Sequence, residues 1–210
     1  MTPELDHLVI GCLDLAAGGA ALTALLGAAP QGAGVHQGHG THNLLWGLGP
    51  AYLELIAPDP AQTAPAVGLP FGLHLASTRA HLANGPRLLT WVARCRGIAA
   101  LAGLSPVPLG PPSAMARGDL AWRLTIPADR VPPCGGIVPG LIEWPGSGSP
   151  PAEAMANGLM RLRSFHRRTN PQASAALEAL GLSAIAPEGD TGGPPLCATL
   201  NTPNGPITLN

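Results

Sequence analysis

Lysine is missing from this chain. All 11 basic residues among its 210 are arginine, which excludes Schiff-base chemistry through a lysine side chain. Charge is sparse as well: 11% of residues are charged against 46% hydrophobic, and the net charge is -1. That balance excludes an electrostatically driven nucleic-acid binder and permits a substantial buried core. The four cysteines (Cys12, Cys95, Cys134, Cys197) lie far apart with no C-x-x-C pair. They read as buried free thiols, not as a zinc knuckle or a redox dithiol. No apolar run reaches the length of a membrane span, and Asp6 and His7 interrupt the opening segment before it can read as a signal peptide. A cytoplasmic protein with no membrane partner is therefore expected. There is no P-loop, no G-x-S-x-G elbow, no G-x-G-x-x-G after a strand and no H-E-x-x-H, so no nucleotide cofactor is expected.

What the chain has in quantity is glycine (28) and proline (25), distributed between short apolar runs. The pattern predicts many turns in a folded protein, not disorder. LDHLVIGC at 5–12 reads as a strand, and Asp14 then caps the helical stretch AAGGAALTALLG, which Gly18-Gly19 weakens and Gly27 ends. A Gly/His-rich loop leads to strands at about 42–48 and 52–57. The order returns with LLTWVARC at 88–95, GIAALAGL at 97–104, LAWRLTIP at 120–127 and IVPGLIEWP at 137–145. Residues 105–118 are too proline-rich for a regular element and read as a mobile loop beside the pocket. A third, shorter echo comprises GLMRLRSFH, the helix PQASAALEALGL and two closing strands joined at Asn204-Gly205. Self-similarity of this kind predicts repeated β-α-β-β units.

One carboxylate, Glu54, sits inside the apolar run YLELIAP, and Glu143 sits late in the corresponding run downstream. Such a group is a solvated face, a structural hydrogen-bond acceptor or a ligand. Strand alternation puts Leu5, His7 and Val9 on one face, and Tyr52, Glu54 and Ile56 on another. If both faces are internal, Glu54 must be paired, coordinated or neutralised.

The segments LDHLVI, GTHN, YLELIAP and PGLIEW together resemble the glyoxalase-like domain proteins of the vicinal oxygen chelate (glyoxalase/bleomycin resistance/dioxygenase) superfamily. The resemblance implies an α+β fold in which two fused βαβββ modules form a curved mixed sheet around a concave cavity, with a C-terminal partial third βαββ unit. The expected division is a first module at 1–60, a connector at 61–87, a second module at 88–146 and the extension at 147–210. The resemblance further implies a divalent metal on the concave face, held by residues of the first and last strands of each module. His7, Glu54 and Glu143 match those positions, while Thr90 falls where a second histidine is expected. Manganese, iron, nickel, magnesium and zinc are not distinguished, and a metal-free His7–Glu54 hydrogen bond is the simpler reading of the same pair.

The implied function is a small-molecule enzyme of isomerase or lyase type, with Glu54, Glu143 and His42 as catalytic candidates. The alternatives are a metal-free binding or sequestering protein of bleomycin-resistance type, or a ring-cleaving dioxygenase. His42 is preferred over His36 and His39 because it begins the strand beside that of Glu54. Asn43, Tyr52, Thr90, Trp122 and Arg123 are expected to line the substrate pocket. The resemblance also leaves a homodimer open, because sheets of this superfamily commonly pair across subunits.

Overall fold

The computed structural model describes residues 2–117, 120–144, 151–155, 158–189 and 192–210. β1 (Glu4–Gly11) is followed by α1 (Leu15–Leu26), then β2 (Gly32–His36), β3 (Thr41–Gly47) and β4 (Tyr52–Pro58). The connector carries α2 (Ala76–Leu82). The pattern then repeats as β5 (Arg87–Arg94), α3 (Ile98–Ala102), β6 (Pro112–Arg117), β7 (Leu120–Thr125) and β8 (Gly140–Glu143). After the short α4 (Pro151–Ala154) come β9 (Arg161–Arg167), α5 (Pro171–Ala179), β10 (Leu196–Thr202) and β11 (Gly205–Leu209). The α+β fold is thus two βαβββ modules plus a third βαββ unit.

The two modules share one mixed sheet of eight strands, ordered β2-β3-β4-β1-β5-β8-β7-β6. In each module the first strand lies parallel to the last, and β1 meets β5 antiparallel at the centre. The sheet curls until its edge strands β2 and β6 approach each other, nearly closing a barrel. A separate three-stranded sheet, β11-β10-β9, packs outside it, with Phe165 edge-on to Trp91 at 5.4 Å. Two of the strands, β2 and β6, lie where the sequence reads as loop. Both are edge strands, where a proline or a glycine-rich backbone costs no central ladder.

Alternation sorts the side chains cleanly. Leu53, Leu55 and Ala57 of β4, with Trp91 and Ala93 of β5, join the outer core against the helices and the third unit. Val9, Ile56, Val92, Trp122 and Ile142 pack inside the barrel. Asp14 caps α1 by accepting from Ala17 N at 2.7 Å, and Gly27 closes it in the left-handed region. Gly18 and Gly19, weak for a helix, are buried: a Cβ on Gly18 would sit 2.7 Å from Cys12 Sγ. The helix accepts this propensity cost of about 1 kcal/mol per glycine to lie closer to the sheet.

Near the sheet centre, Gly136 adopts φ 91° and its carbonyl accepts from Thr90 Oγ1 at 3.0 Å. A Cβ there would fall 1.9 Å from the Leu89 carbonyl oxygen, whereas one on neighbouring Gly135 (φ 66°) meets open space. Gly136→Ala should therefore destabilise by about 2 kcal/mol or more, and Gly135→Ala by about 1 kcal/mol, from the conformational penalty alone. Urea unfolding of the two variants tests this, and equal losses would contradict the packing around Thr90.

Candidate functional site

A cavity of about 70 Å³ opens on the concave face of the sheet, several times the ~10–15 Å³ that one water needs. Its walls are apolar and come mainly from the second module: Met115 of β6, Trp122 of β7, then Ile142 and Trp144 at β8. Phe71 and Ile56 complete them. Its polar end belongs to the first module alone, with His7 on β1, His36 on β2, Asn43 on β3 and Glu54 on β4.

These polar groups form one buried network. Between Leu5 and His7 the β1–β5 register slips, and this irregularity brings Asp6 beside its neighbour's ring. His7 Nδ1 donates to Asp6 Oδ1 at 2.7 Å, and Trp144 Nε1 donates to Asp6 Oδ2 at 2.9 Å. On the other side of the ring, His7 Nε2 lies 3.4 Å from Glu54 Oε2. Asn43 Nδ2 donates to Glu54 Oε1, and His36 Nε2 stands 3.7 Å from that oxygen. His36 Nδ1 in turn contacts Thr41 Oγ1 at 3.0 Å. Tyr52 stacks on His7 with centroids 4.5 Å apart.

Asp6, His7 and Glu54 are each 5% exposed or less. Burial alone would lower the pKa of His7, but the hydrogen bonds and charges of Asp6 and Glu54 outweigh it and raise the pKa to about 9. Burial alone would raise that of Glu54; His7, His36 and Asn43 outweigh it and hold it at about 2. The site therefore presents an imidazolium clamped between two carboxylates.

A glyoxalase-like domain profile matches residues 5–181. The chain belongs to the glyoxalase-like domain family. A hypothetical protein from Staphylococcus aureus superposes with a TM-score of 0.60 at 15% identity, covering 99% of this chain and 84% of that one. A methylmalonyl-CoA epimerase in complex with methylmalonyl-CoA and NH4+ gives 0.46 at 21% identity, covering 71% and 100%. The methylmalonyl-CoA epimerase from Mycobacterium tuberculosis gives 0.44 at 20%, covering 68% and 88%. At these identities the likeness is one of fold. No curated protein matches the sequence. Among the described residues, no helix is long and apolar enough to cross a membrane.

The glyoxalase-like fold brings together His7, Glu54, Asn43, Tyr52, Thr90 and Trp122 at the cavity. It does not bring Glu143, Arg123 or His42 there. On β8, Leu141 belongs to the outer core and Ile142 to the inner one, so Glu143 points outward. There it accepts from Gly97 N and from Arg123 Nη1 at 3.2 Å, and Arg123 is itself exposed. Aligning LDHLVIGC with LLTWVARC makes Val9 the counterpart of Val92. Val9 is paired with Glu54 and Val92 with Gly140, so the position matching Glu54 is Gly140, three residues before Glu143. An odd offset reverses the face. His42 pairs across β2–β3 with Val35 and also faces outward, 4.0 Å from Asp59; His36, paired with Thr41, faces inward in its stead.

These placements test the expected metal. Of the four ligand positions, only His7 and Glu54 carry donors. Thr90 donates its hydroxyl to Gly136, and Gly140 has no side chain. Among the described residues, no group of three or more His, Cys, Asp or Glu is arranged to hold an ion. The donor set does not fit the expected four-position centre.

The His7–Glu54 pair has a defined pH signature. A His pKa raised from 6.5 to about 9 gives stability that is complete below 6.5 and is lost as pH rises through 9. A Glu pKa lowered from 4.5 to about 2 gives stability that is complete above 4.5 and is lost as pH falls through 2. The pair's contribution is therefore complete between pH 4.5 and 6.5. The melting temperature of the native protein should fall between pH 6.5 and 9, and His7→Gln should remove that fall. Parallel profiles for the two proteins would contradict a buried imidazolium.

Proposed function

We propose that this glyoxalase-like protein is a small-molecule enzyme of isomerase or lyase type that transfers a proton at a carbon next to a carbonyl. The observation that carries this reading is Glu54, a carboxylate kept ionised at the polar end of an apolar cavity. A carbonyl oxygen entering the cavity takes the Nε2–H of His7, whose 3.4 Å approach to Glu54 is loose enough to be replaced. That exchange relieves Glu54 of its partner and raises its basicity. Glu54 then accepts the proton from carbon while the His7 hydrogen bond stabilises the enolate oxygen. Return of the proton to the same or another carbon completes an isomerisation; departure of a leaving group from the neighbouring carbon completes an elimination. Asp6 keeps the His7 ring oriented with its Nε2–H toward the cavity, and Asn43 fixes the Glu54 carboxylate. Proton transfer of this kind needs only side chains of the first module.

Incubation in deuterated water with carbonyl compounds that raise the melting temperature tests the reading. Deuterium should enter at the carbon beside the carbonyl, and Glu54→Gln should slow its entry by ~10²–10⁴-fold while ligand binding persists. Glu143→Gln should leave the exchange rate within about twofold, because its carboxylate lies on the outer face. Ligands that bind tightly yet never exchange would instead support the sequestering role.

A further inference from the structure

A further charged group lines the cavity outside the His7–Glu54 network. This is Arg130, in the segment between β7 and β8. Its backbone is held at φ 60°, in the left-handed region that a non-glycine residue adopts at a cost of about 1–2 kcal/mol. Three hydrogen bonds fix that turn. Arg130 N donates to Pro127 O at 2.9 Å, Gly72 N donates to Arg130 O at 2.8 Å, and Val131 N donates to Asp129 Oδ1 at 3.0 Å. The Gly72 bond ties the turn to a second segment of the mouth, where Phe71 also has positive φ (56°).

The guanidinium is half-buried and pre-positioned but not neutralised. Arg130 Nη1 approaches His39 Nδ1 at 3.4 Å. Burial and the Arg130 charge both lower the His39 pKa, so the ring is a neutral acceptor there. Among the described residues, no carboxylate forms an ion pair with Arg130. Asp129, its neighbour in sequence, spends one oxygen on the turn. A strained, latched and half-buried cation without a counter-ion lacks one partner. At the polar end of the cavity the Asp6 and Glu54 carboxylates already engage the histidines, so a substrate carboxylate is disfavoured there relative to Arg130.

We infer that Arg130 is a specificity-determining residue that binds the carboxylate of an oxo-acid substrate, whose carbonyl reaches the His7–Glu54 end across the apolar cavity. This rests on the proton-transfer reading for the location of the reacting carbon, but not for the binding of the acid. Guanidinium and carboxylate match in geometry, and the charge-assisted bond is formed in a site that excludes much of the water. Arg130 then takes the acid end of the substrate and His7 the carbonyl end.

The test uses levulinate and 6-oxoheptanoate, whose acid and ketone are separated by methylene carbons, with their methyl esters, scored by calorimetric affinity and by deuterium exchange. The acids should bind roughly 10- to 100-fold more tightly than the esters. Arg130→Gln and Arg130→Gly should abolish that preference, and Arg130→Lys should restore part of it. The glycine variant relieves the backbone strain, and an unchanged melting temperature assigns its loss of affinity to the missing guanidinium. Esters that bind as well as the acids, acids that fail to bind, or acid affinity unchanged by Arg130→Gln would each overturn the inference. If esters exchange as fast as acids, Arg130 has no such role while proton transfer stands. If the acids bind through Arg130 without exchange, the assignment of Arg130 stands and the proton-transfer reading falls.

Discussion

Everything at the concave face follows from one constraint: a carboxylate placed inside an apolar barrel must be compensated on the spot. Left alone, a buried charge costs several kcal/mol even after relaxation. Glu54, on β4, escapes that cost because three other strands deliver partners to it. β1 brings His7, β3 brings Asn43 and β2 brings His36 within reach of its two oxygens. The imidazolium that balances Glu54 then needs its own second partner, which Asp6 supplies through a register slip in β1. Trp144, from the far end of the second module, anchors Asp6 in turn. The network thus ties the two modules together while remaining chemically a property of the first.

That asymmetry distinguishes this member of the glyoxalase-like family from a symmetric pair of modules. The backbone repeats faithfully, but the side chains divide the work. The first module supplies the His7–Glu54 network; the second supplies Met115, Trp122, Ile142 and Trp144 as an apolar wall, with Arg130 beside it. At the positions where a repeated ligand would stand, Thr90 binds the Gly136 carbonyl and Gly140 offers only backbone. The second module's polar pair, Arg123 and Glu143, closes an exposed ion pair on the outer face instead.

Much of the fold was legible in the sequence because each module announces its first and last strands by branched apolar runs, and the runs recur. The edges were not. β2 and β6 look like loops since their glycine and proline content is tolerated only where one side of a strand goes unpaired. Missing β2 had a consequence at the site. With β2 recognised as a strand pairing Val35 with His42 and His36 with Thr41, alternation alone would have turned His36 inward and His42 outward. Glu143 went astray for a similar reason: YLELIAP and LIEW look equivalent, yet the ladder aligns Glu54 with Gly140.

By itself the sequence determined the paired-module plan, which residues share a strand face with His7 and with Glu54, and the need for something to balance a carboxylate in an apolar strand. These follow from local periodicity and from the cost of desolvating charge. Only the tertiary structure decided what does the balancing. Which histidine faces in depends on edge pairing, and Asp6 reaches His7 through a slip in register between β1 and β5. Arg130 meets the cavity because a strained turn is latched to a segment nearly sixty residues earlier. Such facts depend on where distant strands come into register, which residue order along the chain does not encode locally.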